Sequence, residues 1–198
     1  MVSKIFKILW RAFWIFLMLF VVGMLAFRFY TLNNYPNDAT GIIPTDTLKE
    51  SYKANILSGI TWESTTSIDE DGYFSVFQPI YFEKEKTLIL TIRYNDSLLE
   101  KLKHSGDGET LALFPALHSE DTQNVLPFAY TYCHAYGLYS YRRYVFEGIT
   151  LSDYEDLYLN VYSNEDYDEA LSSIHFYNKD VKTSEYKFTG RDKTLLSK

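Results

Sequence analysis

Thr-Leu-Ile-Leu-Thr-Ile-Arg-Tyr, residues 87–94, is the stretch that decides the fold class. Large apolar side chains occupy every second position, and the intervening positions are of mixed character. This period of two is typical of a β-strand with two unlike faces. The same alternation recurs at residues 128–134 and at residues 157–162, where Leu157, Leu159 and Val161 form the aliphatic face.

Shorter strand candidates flank these three segments. They cover residues 73–82, 110–114, 138–146, 174–177 and 184–188. Pro79 lies inside the first and predicts an edge strand or a bulge, because proline cannot donate to the ladder. About eight short strands separated by turns predict a mainly β fold: an antiparallel β-sandwich, immunoglobulin-like or related, with one or two short helices. One helix is predicted from about residue 48 to 57, with Thr47 and Glu50 as its capping box.

The N-terminus carries a long apolar segment that predicts a single transmembrane helix over residues 8–30. Lys4, Lys7 and Arg11 precede the apolar run, whereas Arg28 immediately follows it. The positive-inside rule therefore predicts a cytoplasmic N-terminus, residues 1–7. The expected anchor residues, at or near the two membrane interfaces, are Trp10, Arg11, Trp14, Phe27 and Arg28. A cleaved signal peptide is the alternative, but the apolar run is longer than such peptides need.

The remaining chain divides by composition. Residues 31–47 are polar and rich in turn formers, which predicts a juxtamembrane linker. Residues 48–190 form the predicted extracytoplasmic domain, followed by a C-terminal tail at residues 191–198. We therefore expect a single-pass protein of the cell membrane, in contact with lipid through its helix. A single cysteine allows no intrachain disulfide, which in an extracytoplasmic domain favours a bacterial protein.

Charge argues against a nucleic-acid partner. The first 30 residues hold four of the 19 basic residues and no acid, so 19 − 4 = 15 basic and 26 acidic residues remain. An acidic domain repels phosphate backbones.

No motif for catalysis or for a cofactor is present, and we predict no cofactor. Cys133 and His134 are neighbours, but adjacent side chains on a strand point to opposite faces. The four histidines lack metal-ligand spacing. Acidic turns containing Asp69, Asp71, Asp153 and Asp156 offer oxygen ligands for calcium, but each lacks the rest of a calcium loop. Solvated turns explain them better, so no metal site is predicted.

Tyrosine is abundant, with 18 copies, and it provides the candidate binding residues. The alternation predicts that Tyr158 and Tyr162 lie on the face opposite the aliphatic one, and Tyr139 and Tyr141 share a face of their own strand. Rows of exposed tyrosine suit contacts with proteins or sugar rings. The alternative is that these tyrosines fill half-buried sheet faces.

These observations favour a membrane-anchored extracytoplasmic interaction or accessory module. They favour a non-enzymatic function over an enzymatic one. Its expected partner is another membrane or envelope protein, or a glycan. One alternative is an envelope hydrolase that acts through paired carboxylates. Another is a single-span sensor that acts through a partner membrane protein.

Overall fold

The computed structural model describes residues 2–33, 39–62, 74–94, 113–119, 126–127, 130–136, 138–162, 167 and 170–198. Within these ranges the chain is mainly β. It contains two antiparallel sheets and short helical segments, preceded by one long helix. The helical segments are α1 (Val2–Asn33), α2 (Asp46–Lys53), a 3-10 turn (Leu151–Asp153) and α3 (Gly190–Leu196).

The described residues contain ten strands: β1 (Ile60–Thr61), β2 (Phe74–Phe82), β3 (Thr87–Tyr94), β4 (Phe114–His118), β5 (Leu126–Pro127), β6 (Tyr130–Tyr136), β7 (Tyr139–Glu147), β8 (Asp156–Tyr162), β9 (Ala170–Asn178) and β10 (Ser184–Glu185). Six of them form a large sheet in the order β10-β1-β2-β3-β7-β6. The other four form a small sheet in the order β5-β4-β8-β9. Consecutive strands often lie in different sheets, so the chain crosses between the sheets several times.

The main core contains side chains from both sheets. Leu88, Leu90 and Ile92 of β3 belong to the same buried cluster as the aliphatic face of β8, which is Leu157, Leu159 and Val161. The period-two alternation therefore identified the face of each strand that enters this main core. Burial of such aliphatic side chains stabilises the fold by about 1.5–3 kcal/mol each.

The opposite face of the large sheet is also covered. Ile80, Phe82, Ile89 and Val145 pack in a second buried cluster against side chains from α2, α3 and the segment before α2, namely Ile42, Ile43, Leu48 and Leu196. Because both faces of the large sheet are covered, β3 is buried at nearly every position, including the positions between its large apolar side chains.

Helix α2 begins two residues earlier than predicted. Its N-cap is Thr45, whose side-chain oxygen accepts a hydrogen bond from the backbone N–H of Leu48 at 3.3 Å. Pro44 precedes this cap and cannot lie in a helix interior, so the helix can start immediately after it. The helix ends at Lys53, before the predicted end, because Asn55 adopts a left-handed φ of 57°.

Pro79 produces a bulge in β2. The register between β2 and β3 shifts between Phe77 and Ile80, and Gln78 has a positive φ of 43°. The hydroxyl of Thr61 donates a hydrogen bond to the Pro79 carbonyl at 2.7 Å. Strand β2 pairs with both β1 and β3, so the proline lies at a bulge and not in an edge strand.

The segments predicted as linker and tail both contain buried residues. Ala39, Ile42 and Ile43 are buried, although residues 31–47 read as a linker. Residues 190–196 form α3, with Leu196 fully buried, although the sequence predicted a tail from residue 191. The two segments are short and polar on average, and their burial depends on side chains that are distant in the sequence.

Helix α1 is long and apolar enough to cross a membrane between Lys4 and Thr31. The predicted span, residues 8–30, lies within it. Its large apolar side chains are exposed in the isolated chain, and these include Trp10, Trp14 and Phe27. Stacked pairs such as Phe6 with Trp10 line the helix surface.

Candidate functional site

The outer face of the small sheet carries a cluster of polar and aromatic side chains. Because Leu157, Leu159 and Val161 point into the core, Tyr158, Asn160 and Tyr162 point to the other face. Directly paired residues on neighbouring antiparallel strands share a face. His118 of β4 and His175 of β9 both pair with Tyr158, one on each side.

His175 is the centre of this cluster. Its Nε2 lies 2.6 Å from Oδ1 of Asp156, and both side chains remain partly exposed, at 38% and 41%. The ring of Tyr158 packs against the imidazole, with centroids 4.9 Å apart and an angle of 32° between the planes. The carboxylate and the phenol therefore orient the imidazole from two directions.

A second polar pair, Asn160 of β8 and Ser173 of β9, lies beside His175 and Tyr158 on the same face. The Ser173 hydroxyl donates a hydrogen bond to Oδ1 of Asn160 at 2.7 Å. The serine is therefore not bonded to the His175 imidazole in the way that a Ser–His–Asp triad requires. We call the outward-facing set the His–Tyr surface; its members are His118, Asp156, Tyr158, Asn160, Ser173 and His175.

An ion pair borders the His–Tyr surface where β8 begins and β9 has ended. The Lys179 ammonium donates to the Glu155 carboxylate, and both groups are solvent-exposed. This hydrogen bond and the carboxylate charge raise the pKa of Lys179. The pair contributes a salt-sensitive interaction of the kind that exposed charges make in water.

The four candidate tyrosines do not form one surface. Tyr158 and Tyr162 belong to the small sheet, whereas Tyr139 and Tyr141 belong to β7 of the large sheet. Tyr162 is only 7% exposed because Tyr167 packs edge-on against its ring at 5.2 Å. Tyr141 is 1% exposed. Alternation assigns a side chain to a face, but it does not show what covers that face.

Tyr139 remains half-buried on the large sheet. The guanidinium of Arg93 lies 5.0 Å from the centre of its ring, a cation–π contact that exposed arginine and tyrosine commonly make. Of the four tyrosines, only Tyr139 and Tyr158 are accessible in part, and they lie on different sheets.

Of the four acidic calcium candidates, the two that the structure describes, Asp153 and Asp156, do not form a calcium site. Asp69 and Asp71 lie outside the described residues. Asp153 is exposed in the 3-10 turn, and Asp156 bonds His175. Among the described residues, no group of three or more His, Cys, Asp or Glu side chains could hold a metal ion.

Cys133 and His134 lie on β6, as the alternation predicted. The register pairs Cys133 with Arg142 and His134 with Tyr141.

A groove of about 510 Å³ lies on the opposite side of the domain from the His–Tyr surface, beside the start of α2. Seven residues line it: Ile43, Pro44, Thr45, Asp46, Thr47, Val145 and Glu147. Two of them, Asp46 and Glu147, carry carboxylates, and both residues are exposed.

Sequence reasoning did not identify His118 or His175 as surface partners of Tyr158. The alternation of Ser173 and His175 with Ile174 and Phe176 was a usable signal for an outward-facing pair. The strand was predicted only from residue 174, whereas β9 begins at Ala170. The bulge between β8 and β9 could not be predicted, and it determines that His175 lies opposite Tyr158. Comparison with protein-family models, curated proteins and solved structures finds no match for this chain.

Proposed function

We propose that this chain is a single-pass protein of the cell membrane, with its N-terminus in the cytoplasm and its β domain outside. The support is helix α1, whose apolar side chains are exposed over a length that spans a bilayer. Basic residues predominate before the apolar run, which favours the inside position for that end.

We also propose that the domain is a β-sandwich, immunoglobulin-like or related. The support is the main core, which draws on β3 and β7 of one sheet and β8 and β9 of the other. Six and four strands differ from the seven strands of a constant-type immunoglobulin domain, so a related sandwich is the better description.

For activity, we propose a non-enzymatic interaction or accessory module that contacts its partner through the His–Tyr surface. The observation that carries this proposal is the packing of Tyr158 against His175, itself held by Asp156. A flat tyrosine that is oriented in advance loses little side-chain entropy on binding, and the surrounding amide, imidazole and carboxylate groups can exchange hydrogen bonds. A membrane or envelope protein, or a glycan, is the partner that this chemistry fits.

Cysteine labelling tests the topology. In a Cys133→Ser background, Lys179→Cys places a thiol on the exposed turn after β9, and Ser3→Cys places one before the span. A membrane-impermeant maleimide applied to intact cells is expected to label only the first variant. Labelling of Ser3→Cys alone would reverse the orientation, and recovery of a soluble chain lacking α1 would overturn the anchor.

Crosslinking tests the surface. A photoreactive residue at Tyr158 is expected to capture a specific partner from membranes, whereas the same residue at exposed Lys187 captures none. Tyr158→Ala combined with His175→Ala should abolish the adduct of a probe placed at neighbouring Asn160. Equal capture from Asn160 and from Lys187, unaffected by the double substitution, would eliminate the His–Tyr surface as the contact.

A second candidate, a carboxylate-based envelope hydrolase, is favoured by one observation: the groove beside α2 contains both Asp46 and Glu147. Paired carboxylates on a groove are the minimum for glycoside hydrolysis. Release of reducing ends from purified cell-wall glycan by the full chain, lost in Glu147→Gln and kept in Asp180→Asn, would support it. Absence of release by the unmodified chain would remove it.

A further inference from the structure

The carboxylate of Asp192 is almost completely buried, at 1% exposure. Its Oδ2 accepts hydrogen bonds from the Tyr186 hydroxyl, the Thr189 backbone N–H and the Thr189 hydroxyl, each at 2.8 Å. Its Oδ1 accepts from the backbone N–H of Ile42 at 3.1 Å. Four donors on one buried carboxylate compensate for its loss of hydration. Removing the carboxylate would leave several of these donors without an acceptor.

The segment that receives Asp192 is held from two further elements. Arg143 of β7, itself 5% exposed, donates to the Gly41 carbonyl. The Thr91 hydroxyl of β3 donates to the Ala39 carbonyl at 2.9 Å. Residues 39–42 are therefore bonded to β3, to β7 and to α3 at successive points.

Gly41 allows the close approach of this segment to Asp192. Its φ is +84°, and a Cβ built on it would lie 2.6 Å from Oδ1 of Asp192. Both the backbone conformation and the space require glycine at this position.

Helix α3 depends on these contacts for its own existence. A helix of seven residues is not stable by itself in water. Its buried side chains are Asp192, which bonds residue 42, and Leu196, which joins the apolar cluster with Ile42 and Ile43. Docking of α3 and docking of residues 39–43 therefore depend in part on the same contacts.

We propose that α3 is a latch that holds residues 39–45 against the large sheet and so limits how far the domain reaches from the membrane. The limit on reach rests on the proposed membrane anchor, whereas the docking of residues 39–45 by α3 does not. An extended chain spans roughly 3.3–3.6 Å per residue. With the latch closed, the chain from Asn33 to Ala39 allows about 20 Å of reach; with residues 39–45 released, the chain from Asn33 to Asp46 allows about 45 Å.

Hydrogen exchange on the full chain in phospholipid nanodiscs tests the latch itself. Asp192→Ala is expected to lower protection of the amides of residues 39–43 by roughly 10- to 100-fold, while β8 keeps its protection. Lys193→Ala, an exposed neighbour on the same helix, should match the unmodified chain. Unchanged protection of residues 39–43 in a folded Asp192→Ala protein would overturn the proposal.

If Asp192→Ala unfolds the whole domain, Tyr186→Phe decides, because it removes one of the four donors and keeps the ring. A greater loss of protection in residues 39–43 than in β8 supports the latch, and an equal loss of protection in both segments overturns it.

Energy transfer from a dye at Lys179→Cys, in a Cys133→Ser background, to acceptor lipids measures how far the domain reaches from the membrane. Transfer should fall in Asp192→Ala, and unchanged transfer would refute the limit on reach. Absence of transfer in the unmodified chain would refute the anchor, while the exchange result still judges the latch.

Discussion

The carboxylate of Asp192 accepts a hydrogen bond from the backbone N–H of Ile42 at 3.1 Å, and 150 positions of the chain separate the two residues. This bond joins the segment that enters the domain to the helix that ends it. The bond is buried, so water cannot replace either partner without opening the structure. The consequences of this arrangement, and of three other local features, can be measured by unfolding the full chain in detergent micelles.

Substitution of three glycines should separate backbone strain from steric clash. Gly41→Ala is expected to lower the free energy of unfolding by about 2–4 kcal/mol, because it combines a left-handed φ with an overlap on Asp192. Gly148→Ala has a similar φ but open space, and should cost about 1 kcal/mol. Gly190→Ala, with neither problem, should cost nothing measurable. Urea unfolding followed by circular dichroism provides the ranking, and equal costs at positions 41 and 148 would contradict the clash.

Trp62→Phe should destabilise the domain by about 1–3 kcal/mol. The indole Nε1 donates to the buried Phe176 carbonyl at 2.9 Å, next to the bulge in the β8–β9 pairing, and phenylalanine leaves that carbonyl without its donor. Trp14→Phe in α1 is the matched control and should not change unfolding of the domain. Identical urea midpoints for the two variants would show that the indole bond is dispensable.

Lys86→Gly should stabilise the domain by about 0.5–1 kcal/mol. Lys86 closes the hairpin between β2 and β3 with a φ of 51°, a conformation that costs a lysine more than a glycine. Lys84→Gly, in the same turn but without a positive φ, should lower stability instead. A loss of stability at both positions would mean that the conformational entropy that glycine adds to the unfolded chain outweighs the relief of backbone strain at position 86.

Stability should decline above pH 10. Burial, followed by the hydrogen bond to Asp192, raises the pKa of Tyr186, and burial raises the pKa of Tyr81, Tyr154 and Tyr177. Above the ordinary pKa of about 10, the unfolded chain loses these protons and the folded chain keeps them. The unfolded state then binds fewer protons, so the free energy of unfolding falls as pH rises above 10. Well below pH 10 these tyrosines are protonated in both states and add nothing to the pH dependence.

Tyr186→Phe checks this assignment. It should be less stable than the unmodified chain at pH 7, where it lacks the bond to Asp192, but should lose less stability between pH 10 and 11.5. High salt screens the exposed Lys179–Glu155 ion pair, which would otherwise also contribute to the loss of stability at alkaline pH. An unchanged slope in Tyr186→Phe would assign the alkaline loss to other groups.

Much of the local structure could be predicted from the sequence. Strand β3 was predicted at its observed bounds, and a bulge was among the outcomes expected of Pro79. These features depend on neighbours within a few residues, which a pattern records directly. The candidate site was predicted only in part. Tyr158 was named, but its contact with His175 depends on the register of the β8–β9 pair.

The sequence by itself determined that α1 is a long apolar helix and that the following chain is built of strands with assignable faces. Both follow from the length and period of apolar runs. Only the tertiary structure decided the neighbours of each strand, the burial of Tyr141 and the docking of α3. Thr189 and Asp192 form a capping box within four consecutive residues, yet the burial of Asp192 requires Ile42 and Tyr186. From the sequence alone, a carboxylate on a short polar segment is expected to be solvated. It becomes buried only because folding brings hydrogen-bond donors from distant parts of the chain to it.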